Sequence, residues 1–578
     1  MSRESVFRTR GARSEPWMIA ALAVAVGVAS AAVAVLLRSG VHLLFDALSP
    51  LRGQWYGVFL PAAGALAGVW IIRVLFREPG GHGVPAVLDA VTRRGGHMRR
   101  RSVISRLFGS LVNVSFGGSA GLEGPIVFSS AAVGSTLGES MRLAERQRVM
   151  LLACGVAGGI GAIFNAPLTG MIFAMEVVLA EWTLGAMLPI AVSATVATEI
   201  GRLALGAQGA FAVGEAVTWS TLDLGAATLL GGAAGLVSVA LVAGVFAVER
   251  WTRRLKISGR FVPVTGMVAG LAGLLVGGIG WLAPGAIGEG YETVTAALSG
   301  ELEIGPVLLL LLVAKLLATS LTLGSNAPGG IFAPSLVLGA VLGYGFGAAL
   351  GAMWPEAGFA EPGFYALAAM AGLVAGAMLA PFTGILLALE TTGGWEGTLP
   401  LILVATISTL VSRTLLRHSF YTWELAERGE LMRPGTDRRI LSELRAAEML
   451  DEDSVALPAG SSLDDLARVL PTTARSHFAV VDAEGRLLGM LHMTALRGVI
   501  FDETVRRMTP VDTVMDPAPT RVGSGDSLLQ AMDAFERTGA WVLPVVDADD
   551  RFLGTVSKST IFDRYRSELI VQTADRGE

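Results

Sequence analysis

The sequence is poor in the residues on which most enzymes and disulfide scaffolds depend. Its 578 residues include one cysteine, Cys154, and six scattered histidines. A single thiol forms no intrachain disulfide and no cysteine-based metal site, so Cys154, set in an apolar run, reads as a small buried hydrophobe. No P-loop, no G-x-G-x-x-G after a strand and no H-E-x-x-H occurs, which argues against a cofactor enzyme. No metal site and no required cofactor are therefore expected. Charge is also scarce: 16% of residues are charged, and a net charge of −5 is spread along the chain. That distribution gives neither a nucleic-acid footprint nor an acidic tail.

Apolar residues and glycine are abundant instead. Hydrophobic residues make up 52% of the chain, glycines number 73 and the mean hydropathy is +0.59, which places it among membrane proteins. Arg3, Arg8, Arg10 and Arg13 precede an apolar run starting at Trp17, and no small-residue cleavage site follows it. Residues 1–16 therefore read as a cytoplasmic start. Further basic clusters, Arg93, Arg94, Arg99, Arg100 and Arg101, then Arg253, Arg254 and Lys256, mark other loops on the same side. From residue 17 to about 425 the apolar segments are often too short or too glycine-broken for simple 20-residue spans. Helix breaks at membrane depth are tolerated only where the freed backbone packs in protein or lines a wet cavity, a transport-site signature.

The apolar region is internally duplicated. Pro79, Gly80 and Gly83 recur as Pro284, Gly285 and Gly288 at an offset of 205 residues. Pro125, Ala131, Gly134 and Gly138 recur as Pro334, Ala340, Gly343 and Gly347 at an offset of 209. Then Ala166, Pro167, Thr169, Gly170, Ala174 and Glu176 recur as Ala380, Pro381, Thr383, Gly384, Ala388 and Glu390 at an offset of 214. Three ordered matches imply a repeated unit of about 210 residues, expected at 55–205 and 262–425, and transporters built this way place their site between the copies. Glu176 and Glu390 occupy equivalent places, so both are expected to satisfy backbone donors at a helix junction. Glu123, in the run GGSAGLEGPIVFSSAAVGSTLG at 117–138, aligns with Phe332 and so has no acidic counterpart. A lone carboxylate in apolar sequence is costly, and this asymmetry marks Glu123 as functional.

Four glycine- or proline-rich junctions, at 81–85, 121–125, 329–334 and 420–421, each begin an apolar helix. A helix N-terminus offers unpaired N–H groups and about half a positive charge, so several converging ends make an anion site without Lys or Arg.

The motifs GHGVP, GLEGP and GGIFAP, in that order and followed by a tyrosine after the last apolar helix, resemble the signature set of the CLC chloride channel and transporter family. The likeness covers residues 17–431 and implies a homodimer of all-α, polytopic, broken-helix subunits with inverted halves. By that resemblance Glu123 falls on the gating glutamate, Ile331 and Phe332 on the residues whose backbone N–H groups bind the anion, and Tyr421 on the tyrosine whose hydroxyl does so. His82, Gly83, Gly121, Gly124 and Gly330 complete the expected anion-binding set.

Three positions depart from the family pattern. His82 replaces a serine and Leu122 an arginine. His82 either donates to an anion or only lines the vestibule, and both readings stay open. Val177 replaces the inner glutamate of proton-coupled members, and valine carries no proton. The expectation is thus a chloride channel or weakly coupled conductor gated by protonation of Glu123. The alternative is a proton-coupled chloride antiporter, with protons rerouted through Glu181 or Glu176.

After Tyr421 the composition turns polar. Residues 424–448 read as a connector leaving the membrane, with a linker at 432–448. The segment 476–496 is echoed by 540–562, each reading as strand, turn, strand, helix. The pair resembles two CBS domains, expected at 449–510 and 511–571, giving an α/β tandem. The family often binds adenine nucleotides there, but the ribose-holding aspartate corresponds to Ala495 and Thr560 here. Thr555, Ser557 and Lys558 remain the candidate phosphate contacts. The expected setting is a multi-pass protein of a bacterial inner or plasma membrane, with cytoplasmic termini, whose partners are a small anion, protons and lipid.

Overall fold

The computed structural model describes residues 3–206, 211, 219–254, 262–393, 395–428, 441, 444–451, 453–473, 475–498 and 500–562. Lys256, most of the expected linker and residues 563–571 of the second expected CBS domain lie outside these. The chain divides into two compact units, Met1–Met432 and Arg433–Glu578.

The first unit is helical. In order its helices are α1 (Arg3–Ala47), α2 (Ser49–Arg52), α3 (Leu60–Trp70), α4 (Gly83–Arg93), α5 (Ser102–Ser115), α6 (Glu123–Ser140), α7 (Glu145–Phe164), α8 (Pro167–Phe173) and α9 (Leu184–Leu205). The second half follows as α10 (Thr221–Arg254), α11 (Val262–Leu282), α12 (Tyr291–Leu298), α13 (Pro306–Gly324), α14 (Phe332–Met353), α15 (Pro362–Met378), α16 (Pro381–Thr392), α17 (Thr398–Leu415) and α18 (Phe420–Glu427). Among the described residues eight helices are long and apolar enough to cross a membrane. Others, such as α4, α8 and α16, are too short, as the broken apolar pattern predicts. Proline in the first turn starts α8, α13, α15 and α16, where its missing N–H costs nothing.

The two halves are inverted, and two reciprocal contacts demonstrate it. Glu176, in the π-helical turn Ala174–Leu179 that continues α8, accepts hydrogen bonds from the start of α16: Phe382 N at 3.2 Å, Thr383 N at 2.8 Å and Thr383 Oγ1 at 2.7 Å. Glu390, near the end of α16, accepts from the start of α8: Leu168 N at 2.9 Å, Thr169 N at 2.6 Å and Thr169 Oγ1 at 2.7 Å. Each acid sits at the far end of its own segment and caps the other's beginning, so the two run antiparallel. Gly121 and Gly330, equivalent at the 209-residue offset, pair antiparallel through two N–H to carbonyl bonds of 2.8 Å. Equivalent residues meeting in this way place the pseudo-two-fold axis between them.

One sequence expectation fails here. The polar connector expected from residue 424 begins later, because α18 runs to Glu427 and Glu424 is buried. Ser419 caps this helix, its hydroxyl accepting Thr422 N at 3.2 Å, and the apolar Phe420 and Leu425 carry the following turns into the core.

The second unit repeats one motif twice. Strands β1 (Ala456–Pro458), β2 (His477–Val481) and β3 (Leu487–His492) form a sheet in that order, β1 parallel and β3 antiparallel to β2. Strands β4 (Val522–Gly523), β5 (Val542–Val546) and β6 (Phe552–Ser557) repeat it, even to a register shift at the equivalent place. Ser462 and Ser527 open the helix of each copy with a capping box. Phe478 and Phe535 are fully buried, one in the core of each copy.

Candidate anion site

The starts of α4, α6 and α14 meet through close glycine contacts. A Cβ at Gly83 would lie 2.4 Å from Gly124 O, and one at Gly124 would lie 3.2 Å from Gly329 O. His82, the residue before α4, packs at a tilt on Phe420, the first residue of α18, with ring centroids 4.8 Å apart. Phe332 packs on Phe164 at 5.4 Å and on Phe173 at 6.1 Å, and Phe173 meets Tyr421 at 6.1 Å. The first-turn N–H groups of these helices, which have no partner within their own helix, are thereby gathered among aromatic walls.

Glu123 opens α6 and is only 1% exposed. Its Oε1 accepts the Tyr291 hydroxyl at 3.0 Å. The carboxylate lies against the residues that lead into α14, since a Cβ at Gly330 would come within 3.1 Å of Oε2, and Oε2 has no hydrogen-bond partner among the described residues. The acid of one half therefore lies at the helix N-terminus of the other, where its charge suits the helix dipole.

The remaining expected residues divide. Ile331 and Phe332 sit at the start of α14 and are fully buried; Gly83 and Gly124 lie in the first turns of α4 and α6. Tyr421 is buried and its hydroxyl points to Met378 Sδ at 3.7 Å. His82 is buried with Nε2 lacking a hydrogen-bond partner among the described residues, so this atom has no competing acceptor. Gly121 and Gly330 do not fit the anion-ligand role expected of them, because their N–H groups are bonded to each other's carbonyls. Glu176 does not fit a proton path, because its carboxylate is held by three donors of α16. Glu181 is exposed, past the end of the π-helical turn, rather than within apolar interior.

Thr555 and Ser557 likewise bond within the protein. Asp451, buried, accepts Thr555 Oγ1 at 3.0 Å, Ser557 Oγ at 3.4 Å and the Thr560 hydroxyl, and pairs with Arg475 at 3.4 Å. Lys558 lies over the rings of Phe535 and Trp541 at 5.7 and 5.3 Å. The groups proposed to meet a phosphate thus already serve an internal carboxylate and two aromatic faces.

Sequence reasoning missed Tyr291 and Lys315. Lys315 is fully buried in α13, its Nζ donating to Gly288 O at 2.9 Å and Glu289 O at 3.3 Å, which fixes the turn that presents Tyr291. A signal existed, since a lone lysine in the run LLLLLVAKLLATSL is itself an anomaly. Nothing local linked Tyr291 to an acid 168 positions away.

A family profile described as "Voltage gated chloride channel" matches residues 63–413, and two "CBS domain" matches cover 446–502 and 511–567. The chain is 30% identical over 425 residues to the "H(+)/Cl(-) exchange transporter ClcA" of Vibrio cholerae serotype O1, covering 70% of this chain and 89% of that protein. It is 31% identical over 367 residues to the protein of the same name from Yersinia pestis bv. Antiqua, 63% of this chain and 76% of that one. Among solved structures, a eukaryotic CLC transporter aligns over 94% of this chain and 97% of its own at a TM-score of 0.69 and 19% identity. A slow cyanobacterial Cl−/H+ antiporter aligns over 71% and 97% at 0.63 and 23% identity. Those two likenesses establish the fold. The first unit is thus a multi-pass transport domain rather than an enzyme, and the chain belongs to the voltage gated chloride channel (CLC) family.

Proposed function

We propose that the protein exchanges a small anion, chloride in the first instance, for protons, with Glu123 as the group that meets both. The observation carrying this reading is the placement of the Glu123 carboxylate against the α14 N-terminus, where a free anion would take the N–H groups of the first turn. An ionised Glu123 and an anion are then competitors for one site. Protonation removes the charge that holds the side chain there and lets the anion in. The channel expected from Val177 gives way because relatives at about 30% identity are named exchangers. Each subunit of a homodimer in a bacterial membrane, with both termini cytoplasmic, would hold its own pathway. For the C-terminal pair we propose a structural rather than nucleotide-sensing role, supported by the engagement of Thr555, Ser557 and Thr560 with Asp451.

The test is purified protein in liposomes under an inward-to-outward chloride gradient. Protons moving against their own gradient in a fixed ratio to chloride support exchange; chloride flux with no proton movement overturns it.

A further inference from the structure

A proton crossing apolar interior is helped by titratable groups, and three positions near the inner end serve poorly: Val177 does not titrate, Glu176 caps α16 and Glu181 is exposed. A buried acid stands elsewhere. Glu424 lies one helical turn after Tyr421 on α18 and is 5% exposed. Its Oε1 pairs with Arg428, while its Oε2 is shut from solvent with no hydrogen-bond partner among the described residues. Leaving a carboxylate oxygen buried and unpaired is costly, and the sequence accommodates it.

The fold brings this acid to the first motif. Gly81 adopts φ +111°, and a Cβ there would lie 2.9 Å from Glu424 Oε1, so the glycine admits the carboxylate against the backbone just before His82. His82 in turn presents the second unpaired buried atom of this corner, Nε2, and precedes Gly83, whose contact with Gly124 joins it to the residue following Glu123. The charged groups facing His82 are Glu424, Glu249, Arg106 and Arg253. Arg106 is held by the Gly81 and Pro79 carbonyls. Arg253 bridges Glu249 at 2.6 Å and Glu427 at 3.2 Å.

We infer that Glu424 and His82 form the inner proton relay of this protein, Glu424 taking the proton and His82 passing it toward Glu123. Glu424 in its acid form gives its proton to His82 Nε2, leaving a carboxylate and an imidazolium. The imidazolium then gives that proton to ionised Glu123 and returns to neutral, so no charge is stranded. An imidazolium beside the α4 N-terminus is unfavourable alone and is offset when an anion occupies the neighbouring site. That dependence couples proton to anion. The two departures from the family pattern, histidine for serine and valine for the inner glutamate, thereby acquire one explanation.

The inference rests on the exchanger reading, and the experiment separates the two. Proton and chloride fluxes are measured in liposomes for wild type, Glu424→Gln, Glu424→Asp and His82→Ser. Glu424→Gln should lower proton flux at least tenfold and Glu424→Asp should restore much of it; His82→Ser should lower it at least fivefold. In the background of Glu123→Gln, where anion flux needs no proton, adding Glu424→Gln should change chloride flux less than twofold. Coupled exchange in wild type with an unchanged proton-to-chloride ratio in Glu424→Gln overturns the relay and leaves exchange standing. Loss of chloride flux in the double variant also overturns it, by making Glu424 structural. Absence of proton movement in wild type overturns exchange and the relay together.

Discussion

Two pairs of symmetry-related positions behave in opposite ways. Glu176 and Glu390 are the same residue in both halves and do the same thing, each capping the start of the other's helical segment with three hydrogen bonds. Glu123 and Phe332 occupy equivalent places beside the Gly121–Gly330 pairing, yet one is an acid and the other an aromatic wall. Where the duplication is kept, the residues hold the halves together. Where it is broken, the two helix starts differ and a charge from one half can answer the N-terminus of the other. An acid at both positions would put like charges across the same site and disfavour ionisation of both.

The variants that test this contrast fall in a definite order. Replacing Glu123 with Gln should have the largest effect: proton flux falls at least tenfold, and chloride flux loses its fall with rising pH, since no carboxylate remains to ionise and occupy the path. A pH series of chloride flux reads this directly, and a retained wild-type pH response would relocate the gate. Glu176→Ala and Glu390→Ala should each leave two N–H groups and a hydroxyl unpaired. Each should lose about 2–4 kcal/mol of stability, at roughly 1–3 kcal/mol for each donor left buried and unpaired, with the exposed amide of each set regaining water. Thermal unfolding in detergent should show similar losses for the two, and the proton-to-chloride ratio of the surviving protein should not change. A large difference between them would end the symmetric account.

Smaller shifts are expected nearer the edge of the site. Tyr291→Phe removes one hydrogen bond to Glu123, worth about 1.5 kcal/mol, so the chloride concentration giving half-maximal flux should fall about tenfold. Competition from the carboxylate weakens, and the anion gains. An unchanged value would mean that the tyrosine does not hold the closed form. The smallest effect belongs to the C-terminal unit. Titration of ATP into the full chain should give no saturable heat, and Thr555→Val should leave transport unchanged within about twofold; saturable binding lost in Thr555→Val would restore a nucleotide role.

Much of this was legible because its signals are local or repeated. The helix starts announce themselves through glycine and proline, the duplication through three ordered matches, and the strand–turn–strand copies of the C-terminal unit through alternating patterns. What escaped depends on contacts distant in sequence. The Gly121 and Gly330 N–H groups read as free ligands from sequence, whereas in the fold they bond to each other's carbonyls, and nothing near Tyr291 in sequence points to Glu123. Glu424 misled for a different reason. It opens a stretch rich in Arg and Glu, and composition assigns such a stretch to solvent, whereas the turn of α18 carries this one residue inward. Pattern fixes which residues begin helices, and packing alone decides which polar atoms end up unpaired.

The most direct test of the central claim is proton movement in chloride-loaded liposomes, comparing wild type with Glu123→Gln. The account predicts uphill proton transport in step with chloride for wild type and chloride flux without protons for the variant. Chloride flux of equal size in both, with protons moving in neither, would contradict it.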